Sequence, residues 1–78
     1  VQINGHTDIR PIASAQFPSN WELSTARASS VVKHMIARGV PAERLVAAGY
    51  GEYQPIESGT DDASLQKNRR IELKLTSR

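Results

Sequence analysis

Seventy-eight residues with ten Lys and Arg against eight Asp and Glu, a net charge of +2, allow one small domain with little stability to spare. That charge is too small to argue for nucleic acid: the basic residues are scattered apart from Lys67, Arg69 and Arg70, and an aromatic content of 5% offers no stacking platform for bases. The lack of cysteine excludes a disulfide scaffold and a thiolate metal site, and no stretch has the apolar length that a membrane span needs.

The chain opens with Val1-Gln2-Ile3-Asn4, whose alternation predicts a strand over 1–7 rather than a signal peptide, giving out at Gly5-His6-Thr7-Asp8. Any targeting segment or membrane anchor of the parent protein is therefore expected upstream. Pro11 and Pro18 punctuate 9–18 as a loop, in which Arg10 reads either as a solvated charge or as a contact for an acidic ligand. Ser19 with Glu22 three residues on is a capping box, the serine hydroxyl expected to accept from the Glu22 backbone N–H. A helix over 20–38 follows, stopped by Gly39 and Pro41, with Lys33 and Arg38 near its negative end. At about 100° per residue, Trp21, Ala28, Val31, Val32 and Met35 share an apolar arc. Asn20, Leu23 and Arg27 form a shallow polar stripe at its border.

Residues 41–44 read as a tight turn, and Leu45-Val46-Ala47-Ala48-Gly49-Tyr50 as a strand, 44–50, whose unbroken apolar run is expected of a strand covered on both faces. A strand–helix–strand crossover of this length makes the first two strands parallel. Gly49-Tyr50-Gly51 permits a bend, and Tyr50 and Tyr53 read either as rim packing or as ligand-stacking groups. Thr60 or Asp61 can cap a short helix over 61–68, which accounts for Asp61 and Asp62 without invoking a metal. Ile71, Leu73 and Leu75 alternate with polar residues in a last strand, 70–76, and are expected on its core face. The fold class is thus α/β, or α+β: a β-α-β-α-β sandwich of a small mixed sheet with helices packed on it, one domain over 1–78.

In a strand–loop–helix unit, the strand end and the helix start share the sheet edge where ligands usually bind. Asp8 and the stripe of Asn20, Leu23 and Arg27 are expected there. A carboxylate and a fixed guanidinium fork facing one cleft suit a zwitterion. Arg27 can equally be an ordinary ion-pair partner of Asp8 that ties helix to sheet, and the residues alone leave both readings open. His6 and Asp8 alternate along one strand, but no serine or threonine is tied to them by a nucleophile motif; His6 is expected to hydrogen-bond locally and hold the strand end. His34 lies far along the helix from His6, without metal-ligand spacing. Neither catalysis, a cofactor nor a metal is expected.

Four blocks, Gly5-His6-Thr7-Asp8, Asn20-Trp21-Glu22-Leu23-Ser24 with Arg27-Ala28, Gly49-Tyr50-Gly51 with Gln54-Pro55, and Asn68-Arg69-Arg70-Ile71-Glu72, together resemble the OmpA-like C-terminal domain. That domain is the peptidoglycan-binding module of outer-membrane anchors, Pal-type lipoproteins and MotB-type flagellar stator proteins, and the spelling from Ser19 to Ser24 is more similar to the MotB-type branch. The resemblance implies non-covalent binding of peptidoglycan, anchoring an envelope protein to the cell wall in the periplasm of a Gram-negative bacterium. It implies that Asp8 and Arg27 grip the diaminopimelate residue of the stem peptide, and that Asn20, Thr7, Leu23 and Arg70 line the same groove. Asn68-Arg69-Arg70 is implied to brace the turn into the last strand, with one arginine near the groove pairing an acidic side chain, direct ligand contact being the alternative. Two departures stand out. Family domains begin with a further strand and helix, so this chain reads as N-terminally truncated, with an unpaired sheet edge that invites association such as a homodimer. The loop 9–18 is longer than in Pal-type members, so a different pocket rim is expected.

Overall fold

The computed structural model describes residues 1–11 and 16–75. Its elements in order are β1 (Gln2–His6), α1 (Asn20–Ala37), a 3-10 turn (Ala42–Arg44), β2 (Val46–Gly49), α2 (Asp62–Asn68) and β3 (Arg70–Lys74). The sheet order is β2-β1-β3. β1 and β2 run parallel, with Gln2 opposite Val46 and Gly5 opposite Gly49. β3 returns antiparallel on the other side of β1, with Gln2 opposite Lys74 and His6 opposite Arg70. The expected mixed sheet with helices is therefore present.

Helix α1 begins where the sequence places it, with one change in its cap. The Ser19 hydroxyl accepts from the Trp21 N–H at 3.2 Å, not from Glu22, and itself donates to the Glu22 carboxylate. At the other end Gly39 takes φ +103°, its N–H donates to the Ile36 carbonyl and the Val40 N–H to the Met35 carbonyl, each at 3.0 Å. This is a Schellman motif, open at that φ mainly to glycine, and Pro41 follows it.

What seats α1 on the sheet is a lack of side chains. Gly5 and Gly49 are neighbours across β1 and β2, and a Cβ on Gly5 would stand 2.2 Å from the Ser24 carbonyl oxygen. One on Gly49 would stand 2.1 Å from the Thr25 hydroxyl oxygen. The helix thus rests almost backbone to backbone on the strands, and its buried line is Asn20, Ser24 and Ala28. Trp21, expected on the apolar arc, is instead 49% exposed and stacks on Tyr53, with ring centroids 5.2 Å apart.

Two further expectations are corrected. β2 is not covered on both faces: it is an outer strand, and Val46 is 52% exposed. Ile71 and Leu73 do point to the face that carries α1, being opposite Gly5 and Ile3. Yet α1 packs over β1 and β2, so Leu73 stays 61% exposed, and Leu75, beyond the strand end, 85%. Thr76 lies outside the described residues. Among the described residues the apolar core is small, Ile3, Ala28 and Leu65, and most buried polar groups beside it are satisfied internally. Asn68 shows how: its side-chain oxygen accepts from the N–H groups of Ile56 and Glu57, and its amide donates to the Glu57 carbonyl at 2.9 Å.

Candidate functional site

Strand β1 ends at His6, and the next two residues drop into the rim of a cavity. The Thr7 N–H is held by the Gly51 carbonyl at 2.9 Å, which fixes where the chain leaves the sheet. Asp8 follows, 5% exposed. On the facing side the first two turns of α1 present Asn20, Leu23 and Arg27. These residues, with Thr7, Arg10, Pro11 and Arg69, line a cavity of about 350 Å³. Five of the six expected ligand residues thus meet there: Asp8, Arg27, Asn20, Thr7 and Leu23.

Arg70 does not. It is opposite His6 on β3 and lines a separate cavity with Asn4, His6, Tyr50 and Glu72. The neighbour Arg69 occupies the place expected of Arg70, because successive residues entering a strand point to opposite faces. With Ile71 on the face of α1, Arg70 belongs to the other.

Asp8 is saturated with donors. Its Oδ1 accepts from the Arg10 backbone N–H at 2.9 Å; its Oδ2 accepts from Arg10 Nε at 3.1 Å and Nη2 at 2.7 Å, and from Arg69 Nη1 at 2.5 Å. Burial alone would raise the Asp8 pKa, but the hydrogen bonds from the Arg10 side chain, Arg69 and the Arg10 backbone outweigh it and hold the carboxyl below the ordinary carboxylate range. Arg10 is therefore no solvated bystander, although its side chain is 57% exposed. The ion pair that ties the elements together is Asp8 with Arg69, across 61 positions of sequence.

Arg27, by contrast, forms no ion pair with Asp8 or with any other carboxylate among the described residues. Among the described residues its guanidinium makes one hydrogen bond, a long one of 3.5 Å, to the His6 carbonyl. Three guanidinium groups thus face one carboxylate, and the cavity is net cationic. The Asn20 amide is directed inward, donating to the carbonyls of Arg10 at 3.1 Å and Asp8 at 3.4 Å and to Glu52 Oε1 at 3.4 Å. It straps the rim loop to the helix rather than offering a free donor.

His6 is on the other side of the sheet from this chemistry, so an acid–base pair with Asp8 does not form. Its ring stacks on Tyr50, centroids 5.1 Å apart and nearly parallel at 5°. Both ring nitrogens are buried without a hydrogen-bond partner among the described residues, with Glu72 Oε1 3.6 Å from Nε2, so the ring is placed by stacking and not by the expected local bond. Burial, then the nearby Arg70, lowers the His6 pKa, with Glu72 opposing.

The model of the OmpA family matches residues 1–69. The chain belongs to the OmpA family. Motility protein B of Bacillus subtilis is 40% identical to this OmpA-family chain over 77 residues, which are 97% of the chain and 30% of that protein. The peptidoglycan-associated lipoprotein of Pseudomonas aeruginosa is 35% identical over 74 residues, 95% of the chain and 42% of the lipoprotein. The solved cell wall anchor of the T6SS from Pseudomonas aeruginosa superposes with a TM-score of 0.83 at 37% identity, covering 90% of this chain and 49% of that one. The chain spans less than half the length of each of these relatives.

The expected ligand set leaves out Pro11, which lines the cavity, and Arg10 and Arg69, although Arg10 reads as a possible contact and one arginine of Asn68-Arg69-Arg70 is implied near the groove. For Arg69 the signal was present in the strand parity already used for Ile71. For Arg10 it lay in the spacing: a residue two positions beyond a carboxylate at a strand end can fold back on it.

Proposed function

We propose that this OmpA-family domain binds peptidoglycan non-covalently, through the zwitterionic end of a diaminopimelate residue in the stem peptide, and so holds an envelope protein to the cell wall. One observation carries the reading: among the described residues Arg27 has no carboxylate partner, and it shares a cavity with the buried carboxylate of Asp8. A planar fork without a carboxylate partner is suited to bidentate capture of a ligand carboxylate. The ligand ammonium then replaces the Arg10 side chain on Asp8, while Arg69 remains as the structural partner. Asn20 acts by positioning, since its amide holds the carbonyls of Asp8 and Arg10. Two of its relatives, a peptidoglycan-associated lipoprotein and a cell wall anchor, support the same ligand class. On this reading the domain works outside the inner membrane, in the periplasmic space, as a binding module without a catalytic step.

The test is calorimetric titration with a diaminopimelate-containing stem peptide and with its lysine-containing counterpart, which lacks the second carboxylate. The first is expected to bind more tightly, and Asp8→Ala or Arg27→Ala to weaken it by on the order of 2–5 kcal/mol. Arg27→Lys is expected to restore little, because a point charge does not reproduce the fork. Equal affinity for the two peptides would overturn the diaminopimelate assignment.

A further inference from the structure

The sheet face turned away from α1 hides a histidine that the binding site does not use. His6 is 4% exposed, and neither of its ring nitrogens has a hydrogen-bond partner among the described residues. A buried imidazole left in that state costs free energy. The ring borders a cavity of about 340 Å³ beneath Gln54, Pro55 and Ile56. Tyr50, at the end of β2, stacks on it, while Arg70 and Glu72 face it from β3. Asn4 of its own strand and the three loop residues are uncharged, and from α1 the Arg27 guanidinium bonds the His6 carbonyl rather than the ring. Glu72 Oε1 stands 3.6 Å from Nε2, beyond a hydrogen bond, and its Oε2 accepts from Arg70 Nε. Arg70 Nη2 donates in turn to the Gln54 carbonyl at 2.8 Å, clamping the loop over the ring.

The segment that covers His6 also supports the site on the opposite face. The Tyr50 N–H donates to the Gly5 carbonyl at 3.0 Å, the Gly51 carbonyl holds the Thr7 N–H at 2.9 Å, and the Gly51 N–H donates to the Ser24 hydroxyl at 2.9 Å. Glu52 accepts from the Asn20 amide at 3.4 Å. Thr7 and Asn20 line the peptide cavity, so one short stretch of backbone joins the stack on one face to the site on the other. We propose that the His6–Tyr50 stack is a proton-operated latch on that cavity: uptake of a proton by His6 lifts segment 50–54 and lowers affinity for the stem peptide. The inference rests on the peptide-binding reading above. An imidazolium has two N–H donors to satisfy. Glu72 can serve Nε2 only by sharing its carboxylate with Arg70, and Nδ1 is buried. Burial, then Arg70, oppose the charged ring more than Glu72 favours it, which holds the His6 pKa below its ordinary value. Lifting the cover removes that opposition, so the open form takes the proton more readily and acid shifts the population toward it. The latch is closed above the ordinary histidine range, near about 6.5, and opens as pH falls below it.

Trp21, the chain's single tryptophan, stacks on Tyr53, and a Cβ on Gly51 would sit 3.4 Å from its ring, so its fluorescence reports on segment 50–54 without any ligand. Emission is followed from about pH 7.5 to about pH 5.5, with circular dichroism verifying the fold, and calorimetry is run at both ends with an N-acetylated diaminopimelate tripeptide, whose own groups do not titrate in that interval. Asp8, held below the carboxylate range, stays ionised throughout. In the parent chain a one-proton change in emission is expected with a midpoint below about 6.5, and peptide affinity is expected to fall about three- to tenfold, about ten being the limit for one proton over this interval. His6→Phe keeps a ring on Tyr50 and cannot be protonated; it should bind like the parent at the upper pH and lose both responses. His34→Gln, which removes the other histidine, should keep both. Glu72→Gln removes the group that favours the charged ring and should move the emission midpoint to lower pH, a test that stands even if His6→Phe does not fold. Flat emission in the parent, a response retained in His6→Phe, or a midpoint unmoved in Glu72→Gln overturns the latch. Peptide binding with no dependence on pH also overturns it and leaves the peptide reading intact, whereas a chain that binds no peptide at either pH overturns both.

Discussion

Gly5→Ala is the substitution whose cost the geometry states most directly. The new methyl would lie 2.2 Å from the Ser24 carbonyl oxygen and 3.0 Å from its carbon. Carbon–oxygen contacts settle near about 3.3–3.6 Å, so the helix must rise by roughly 1 Å over the strand. The obstructing atoms are backbone and cannot rotate aside. Alanine's lower entropy in the unfolded chain returns only about 0.5–1 kcal/mol. Overpacking of this kind costs about 1–3 kcal/mol and occasionally more, and the backbone contact places Gly5→Ala at or above about 3 kcal/mol. A domain of this size has only about 4–12 kcal/mol in all. Urea unfolding followed by circular dichroism at 222 nm, with a slope near about 1 kcal/mol per molar, should then show a midpoint lowered by about 3 M, or no folded baseline. Gly39→Ala is the control: nothing lies within 4 Å of its Cβ, and only the φ of +103° opposes it, at roughly 1 kcal/mol. A Gly5→Ala variant within about 0.5 kcal/mol of the parent would refute the glycine seat.

Acid should destabilise the fold in two stages. The folded pKa of His6 is depressed, so the unfolded chain gains protons first and stability falls as pH drops through about 6.5; His6→Phe should flatten that limb of a urea-midpoint profile. Asp8 is also depressed: its contribution is present above about pH 4 and lost as pH falls through the folded pKa, and Asp8→Asn should remove part of this lower limb. Arg10→Ala should tighten the diaminopimelate peptide, by about two- to fivefold on the scale of an exposed ion pair, since the competitor for Asp8 is gone; calorimetry showing weaker binding would make Arg10 a ligand contact instead. Asn68→Ala strands two backbone N–H groups, of Ile56 and Glu57, and should cost about 2–4 kcal/mol by the same urea assay.

The helices and strands were legible because each is signalled locally: a capping serine, a Gly-Pro stop, period-two alternation. The partition of residues between the two faces of the sheet was legible as well, through Ile71. Burial was not. Leu73 and Val46 read as core from their neighbours in sequence, but whether α1 reaches over a given strand depends on sheet order, and β1 proved to be the central strand. The site divides in the same way. Asp8, Asn20, Leu23 and Arg27 could be brought together by helix periodicity and a strand end. The partners of Asp8 left only weak signals, a spacing of two for Arg10 and strand parity for Arg69, which do not decide between them and Arg27. Ser24, the residue pressed hardest against the sheet, was passed over because a serine in a helix suggests an exposed face, whereas here its hydroxyl accepts the Gly51 N–H at 2.9 Å.

The occupied state of Asp8 has a consequence for the order of events in time. A zwitterion approaching a net cationic cavity is oriented with its carboxylate leading. On the proposed reading the fork of Arg27 engages first, and Asp8 becomes available only when Arg10, paired to it through a side chain more than half exposed, lets go. On that reading dissociation runs through the same exchange backwards, with Arg10 beside the carboxylate to reclaim it, so the anchor gives up some equilibrium affinity to its own internal competitor.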